Sequence, residues 1–274
     1  MWIFYVTFDV ISHLGLRIGF YETAKVFGYD FQRNIRQKNV EYLAYINAEK
    51  QYLHLEPNDR MFHIIRDPRD IAVSAYFSHL KSHSTHGWPE LGLHRRKLET
   101  LSTEEGLLAD MEFCKRLPTD SHETRLYQSM FEWDYTQPNV MEVRYEDMVQ
   151  DPAQFMTNIF HFFGWIDDSS FDRSESIGYK LRVLINMALV KYRFPWLFKR
   201  KSITTQTARS IIVKHNFAKK TKGRLPGQEN PSHHYRKGVS GDWKNHFTEK
   251  HKKYFKENFN DLLIKLGYEK DDNW

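Results

Sequence analysis

The sequence predicts an α/β fold: a mostly parallel central sheet flanked by helices, built as one domain over residues 1–274. Three observations carry the prediction. Short apolar, β-branched segments alternate with stretches of helical periodicity. The segment "MFHIIRDPRDIAVSAYFSHL" (61–80) passes from a strand through a tight turn into a helix start. At 274 residues and 41% hydrophobic content, the chain is large enough to bury one sizeable core.

In chain order, "MWIFYVTFDV" reads as a strand. "LGLRIGFYETAKVFGYD" follows with Leu16, Phe20, Ala24 and Phe27 at helical spacing up to Gly28. Residues 31–50 read as a polar helix and "QYLHLEP" as a short strand, ahead of the strand, turn and helix of 61–80. Helices are expected at about 103–116 and 121–134. "NVMEVRYEDM" is a strand ending at Tyr145, and "PAQFMTNIFHFFG" is an amphipathic helix closed by Gly164. The helical patch "LRVLINMALV", a basic block, a Gly/Pro-rich loop and a last helix ending at Gly267 complete the chain.

The turn at 66–70 carries chemistry. Asp67 caps a helix whose first residue is Pro68, and Asp70 suits its first turn. Arg66 then stands where the strand ends and the positive helix dipole begins, so an anion would be held there, with Ser74 two turns on adding a hydroxyl. The alternative is that Arg66 and Arg69 pair with Asp67 and Asp70 on a solvated turn. A second place for an anion is the late loop, where Arg236, Lys237 and Gly238 lie among glycines.

The formal charge of +5 is concentrated in one segment. Lys191 to Arg224 holds eleven Lys or Arg and no acidic residue, which leaves the rest of the chain near minus six. Such a block steers an anionic ligand, makes peripheral contact with an anionic membrane surface, or is simply a solvated loop. Nucleic acid is not an expected partner. Cys114, the single cysteine, excludes an intrachain disulfide and fits a reducing compartment, which makes the expected location cytoplasmic. The apolar start, broken by Asp9, is too short for a membrane span and lacks a secretory cleavage signal. His79, His83 and His86 have the spacing of ligands on one helix face, but no carboxylate or thiolate in the local sequence completes a set, and no metal is expected.

Three segments in order, "RDPRDIAVS", "VRYEDMVQDP" about 70 residues later and "RKGVSGDW" followed by "LLIKLGY", resemble the sulfotransferases that use 3'-phosphoadenosine 5'-phosphosulfate (PAPS). The resemblance spans residues 61 to 270 and implies a P-loop-like nucleotide-transferase fold. It implies that Arg66 and Ser74 hold the nucleotide 3'-phosphate, that Arg236, Lys237 and Gly238 cover it, and that Tyr145 lies near the adenine. It also implies PAPS as co-substrate, 3',5'-ADP (PAP) as product, and a small-molecule hydroxyl acceptor, hydrophobic or carbohydrate.

At the start, the family's Pro-Lys-Ser-Gly-Thr-Thr-Trp loop for the 5'-phosphosulfate is replaced by "VISHLGLRI". Aligning on Gly15 places Ser12, His13 and Arg17 around the phosphosulfate, with His13 and Arg17 as cations on the leaving group. Three alternatives follow: these cations replace the lysine, the chain binds nucleotide with weak or no transfer, or the family's loop precedes this stretch. The family's catalytic base is matched by His54 in "YLHLEP", twelve positions before Arg66, with His79 and His83 in reserve; His63 reads as core. A P-loop kinase is excluded by the absence of any Gly-x-x-x-x-Gly-Lys-Ser/Thr string.

Overall fold

A computed structural model describes residues 2–21, 24–45, 52–53, 55–116, 126–169, 176–191 and 198–274. The chain is mixed α/β and helix-rich. The predicted α/β class holds, with the described strands forming two small two-stranded sheets among the helices. Contacts divide the chain into two compact units, one of Met1–His63, Thr136–Val143 and Gln150–Lys222, the other of Ile64–Tyr135, Arg144–Val149 and Gly223–Trp274.

The first unit opens with a helix, not the expected strand: α1, Trp2–Leu14. A strand would bury alternate residues. Here Val6, Val10 and Leu14, four apart, are fully buried, with Thr7 and Ile11 on the adjoining row. Asp9 breaks the apolar run because it faces a partner: its carboxylate takes Lys214 Nζ at 3.2 Å and His215 Nε2 at 2.9 Å. Burial raises its pKa, and the hydrogen bond from His215 with the charge of Lys214 reverses this, so the net shift is downward.

α1 stops at Gly15, whose φ of 70° and N–H to Ile11 O (2.8 Å) make a left-handed cap. The stretch read as the next helix holds strand β1, Ile18–Tyr21, in parallel register with β2, Tyr42–Tyr45, from Ile18 opposite Tyr42 to Tyr21 opposite Tyr45. Burial in β1 follows the two-residue period, with Tyr21 inside and Phe20 outside. The helix expected over 31–50 is shorter, α2 at Phe31–Lys38, because Asn39 adopts φ 50°. Of "QYLHLEP", Tyr52, Leu53 and residues 55–57 belong to no strand, and His54 lies outside the described residues.

Strands β3, Met61–Ile65, and β4, Val140–Arg144, form the second sheet, and the chain crosses between units within them. From them come α3, Pro68–Phe77, prolonged by a π turn at Ser78–Ser82, and α7, Tyr145–Gln150. The second unit adds α4 (Pro89–Leu98), α5 (Thr103–Arg116), α6 (Leu126–Glu132) and α12 (Glu249–Lys265). Its core joins Ala72, Val73 and Tyr76 of α3 to Leu107 and Met111 of α5 and to Phe255, Leu262 and Leu263 of α12.

The first unit is completed by α8 (Pro152–Phe162), α9 (Ile177–Lys191), α10 (Thr205–Lys214) and α11 (Phe217–Lys220). In α9 the apolar residues Leu181 and Leu184 are exposed by 56% and 62%, while Val183 and Asn186 are buried. Ordinary core packing therefore does not account for that apolar face. Among the described residues, no helix is long and apolar enough to cross a membrane.

Gly15 tests the cap. A Cβ there would lie 1.8 Å from Phe198 O, on a backbone already at positive φ. Gly15→Ala is expected to cost about 2–5 kcal/mol, the strained φ adding ~1–2 and the overpacking ~1–3. Urea denaturation reads this as a lowered midpoint.

Candidate nucleotide site

The described part of the candidate site belongs to the second unit and is built outward from Asp67 and Pro68. The Asp67 carboxylate accepts the Arg69 N–H (2.9 Å) and grips the Arg69 guanidinium at 3.0 and 2.8 Å, so the cap is doubly fixed. Arg69 also pairs with Glu269 (2.5 Å) and lies 4.0 Å from the Trp243 ring centroid. The pairing of Arg69 with Asp67 is thus structural and buried.

Arg66 is a different case. Its nearest carboxylate, Asp70, stands 4.0 Å away, beyond hydrogen-bond distance, and its guanidinium lies 4.4 Å over the Tyr145 ring. Its Nε is buried with no hydrogen-bond partner among the described residues. A buried N–H left open on a guanidinium is costly unless something accepts from it. Arg66, Asp70 and Ser74 recur every four residues, and Ser74 is half-buried.

Asp70 carries out a task that its place in the first turn did not disclose. Its two oxygens accept Gly241 N–H at 2.6 Å and Trp243 N–H at 2.9 Å, which fastens α3 to the late loop. That loop is closed on itself by Gly227 N–H to Lys237 O (2.8 Å), by Asn230 N–H to Arg236 O (2.9 Å), and by the Arg224 guanidinium on the carbonyls of Tyr235 and Arg236. Gly238 and Gly241 take φ of 68° and 75°. Arg236 consequently reaches α3: its guanidinium lies 4.5 Å from the Phe77 ring centroid. Arg66 thus meets Tyr145, and the loop carrying Arg236, Lys237 and Gly238 is tied to α3, the helix that bears Ser74.

The sequence reading missed Asp242. Its carboxylate takes Arg236 Nη2 and Lys237 Nζ at 2.5 Å each, and Asn245 at 2.8 Å. Burial works to raise its pKa, but hydrogen bonds from Lys237, Asn245 and Arg236 outweigh it and hold the carboxyl far below its ordinary range. At Asp70, burial dominates and the net shift is upward in spite of Arg66 and the two backbone N–H groups. The signal that pointed to Asp242 was its place five and six residues after two adjacent cations in a Gly-rich loop.

At the beginning of the chain the arrangement differs from the expected loop. Ser12 and His13 lie in the last turn of α1, at the negative end of the helix dipole, the reverse of an anion cradle, and the carbonyls of Ile11, Ser12 and Leu14 already accept from the Gly15 N–H (2.8 Å), Asn186 Nδ2 (3.4 Å) and the Arg200 N–H (2.7 Å). The Ser12 hydroxyl is fully buried and donates to Phe8 O (2.8 Å), His13 Nδ1 is bonded to Tyr179 OH (2.6 Å), and the Arg17 N–H meets Glu41 (3.1 Å). Among the other histidines, His63 pairs with Glu142 (2.7 Å), and His79, 1% exposed, faces Asp110 (2.8 Å).

A pH prediction follows from Asp242. Its folded pKa lies below the ordinary 3.8, so its stabilisation is complete above that value and is lost as pH falls through the folded one. Asp242→Asn should therefore flatten the acid limb of stability against pH below about pH 4, measured by urea unfolding, relative to wild type.

A protein-family model described as "Sulfotransferase domain" matches residues 48–175 and 198–267. Among solved structures, mouse sulfotransferase SULT7A1 complexed with PAP aligns over 94% of this chain and 78% of its own, at 20% identity and a TM-score of 0.53. Retinol dehydratase in complex with androsterone and inactive cofactor PAP aligns over 81% and 52%, at 18% identity and a TM-score of 0.43, too loose to bear on the fold. A sequence search of curated proteins finds no match. The first likeness is one of fold, and the matched residues include Arg66, Ser74, Tyr145 and the Arg236-Lys237-Gly238 loop. This chain belongs to the sulfotransferase domain family.

Proposed function

We propose that the protein moves a sulfuryl group from PAPS to a hydroxyl acceptor by in-line transfer. In this reading Arg66, Ser74, Arg236, Lys237 and Gly238 hold the nucleotide 3'-phosphate, and Tyr145 lies beside the adenine. The observation that carries it is Arg66: a half-buried guanidinium with an open Nε, just ahead of the helix that Asp70 ties to the loop bearing two further cations. A 3'-phosphate supplies the missing acceptor. It also competes with Asp242 for Arg236 and Lys237, two cations that share this one carboxylate, with Glu229 on the other side of Arg236.

Sulfuryl transfer needs a base on the acceptor hydroxyl, alignment at sulfur and positive charge where the bridging oxygen departs. His54 is the proposed base; it lies outside the described residues. His79, held in reserve for that role, is 1% exposed and packed on Asp110, so it presents no face to an acceptor arriving from solvent. The exposed apolar residues Ile177, Leu181 and Leu184 of α9 support a hydrophobic acceptor, or contact of this face with a lipid surface. A cytoplasmic site of action fits the single cysteine.

A second reading is nucleotide binding without transfer. It is favoured by one observation: Ser12–Gly15 is the C-terminal end of α1, where the helix dipole is negative, in place of the amides of the family's 5'-phosphosulfate loop. Release of PAP from PAPS across a panel of alcohol and sugar acceptors separates the two, since transfer requires acceptor-dependent release.

For the 3'-phosphate assignment, Arg66→Ala should weaken PAP binding about ten- to a hundredfold, the loss of ~1.5–3 kcal/mol of charge-assisted hydrogen bonding. Isothermal calorimetry on the folded variant measures it. An unchanged Kd removes Arg66 from the site.

A further inference from the structure

We infer that the second unit contains a buried zinc site formed by His79, Asp110 and Cys114, separate from the proposed nucleotide contacts. Histidine spacing along the chain pointed to His79, His83 and His86 on one helix; the fold assembles a different set. The π turn at Ser78–Ser82 directs His79 inward, and one face of α5 presents Asp110 and Cys114 four residues apart. One ligand atom from each of the three lies within 4.8 Å of the others. His79 and Asp110 are each 1% exposed.

The chemistry of the set fits zinc. An imidazole, a carboxylate and a thiolate are its usual ligands, and the single soft sulfur disfavours magnesium and calcium. Charge closes as well: one carboxylate and one thiolate neutralise a divalent ion, so the occupied site buries no net charge. Without an ion, the Asp110 carboxylate is held by neutral partners, accepting from His79 (2.8 Å), His94 (2.9 Å) and the Cys114 thiol (4.0 Å). On binding, the Cys114 thiol loses its proton to solvent as the S–Zn bond forms. His79 keeps one ring proton, which moves from Nδ1 to Nε2 as Nδ1 takes the metal, so one proton leaves per ion.

The surroundings are those of an oriented metal site. His94 Nε2 meets Asp110 Oδ1, the oxygen that also faces His79, at 2.9 Å and would orient the carboxylate, and its ring stacks on Phe113 at 3.9 Å. Trp88 and Phe113 meet His79 edge-on at 5.7 and 6.0 Å, an apolar shell. Arg95 donates to the carbonyls of His79 (2.5 Å) and His83 (2.6 Å), which pins the turn that carries the ligand. His83, with its ring centroid 5.9 Å from that of His79, or a water is left for the fourth position.

The test uses the full chain, purified without a histidine tag. Wild type is expected to retain about one zinc per chain after dialysis, measured by mass spectrometry of the metal. With cobalt in its place, it should show a sulfur-to-cobalt charge-transfer band. Cys114→Ser should abolish that band and weaken zinc at least tenfold in competition with a chromophoric chelator, and His94→Gln should weaken zinc about 10- to 100-fold while keeping the band. If folded wild type takes up no stoichiometric zinc, or if Cys114→Ser binds zinc and cobalt as wild type does, the site is a hydrogen-bonded His–Asp–His cluster and the inference falls.

Discussion

The pair of hydrogen bonds from the Gly241 and Trp243 amides to the Asp70 carboxylate is the contact on which the second unit's chemistry depends. It joins residues more than 170 positions apart and places a loop with two adjacent cations against the helix that follows Arg66. A carboxylate accepting two backbone N–H groups contributes roughly 1.5–3 kcal/mol per bond when buried, enough to hold a Gly-rich loop that has few apolar anchors. Trp243 supplies one such anchor, lying under the Arg69 guanidinium.

The other family segments attach to the same frame. The backbone N–H of Asp67 donates to Glu146, whose second oxygen accepts from Tyr268 OH. Arg144 donates to Leu266 O. Segments "RDPRD", "VRYED", "RKGVSGDW" and "LLIKLGY" are therefore one hydrogen-bonded assembly, which explains why they occur together in order. Each alone is a short polar string. Joined, they leave Arg66 with an open donor and Arg236 and Lys237 on an internal carboxylate that a phosphate can replace.

Local signals were legible wherever the cause is local. The Asp67 cap with Pro68, strand "MFHII", helix 103–116 and the last helix stopping at Gly267 all follow from propensity and capping chemistry. The start of the chain was not, because "MWIFYVTF" has the aromatic, β-branched content of a strand. The helix is secured by burial of every fourth residue and by Lys214 and His215, which account for Asp9. Partners that distant have no trace in the local pattern. In the same way Asp110 and Cys114 complete a cluster with His79 from another helix, which histidine spacing alone does not reveal.

The central claim is that Arg66 and the Arg236-Lys237 pair serve one anion. The direct measurement is a double-mutant cycle on PAP affinity with Arg66→Ala, Lys237→Ala and the combined variant. Two cations on one phosphate are coupled, so the account predicts that the combined loss departs from the sum of the single losses by more than about 0.5 kcal/mol. Strict additivity, with both single variants weakened, would place the two cations on separate groups and contradict it.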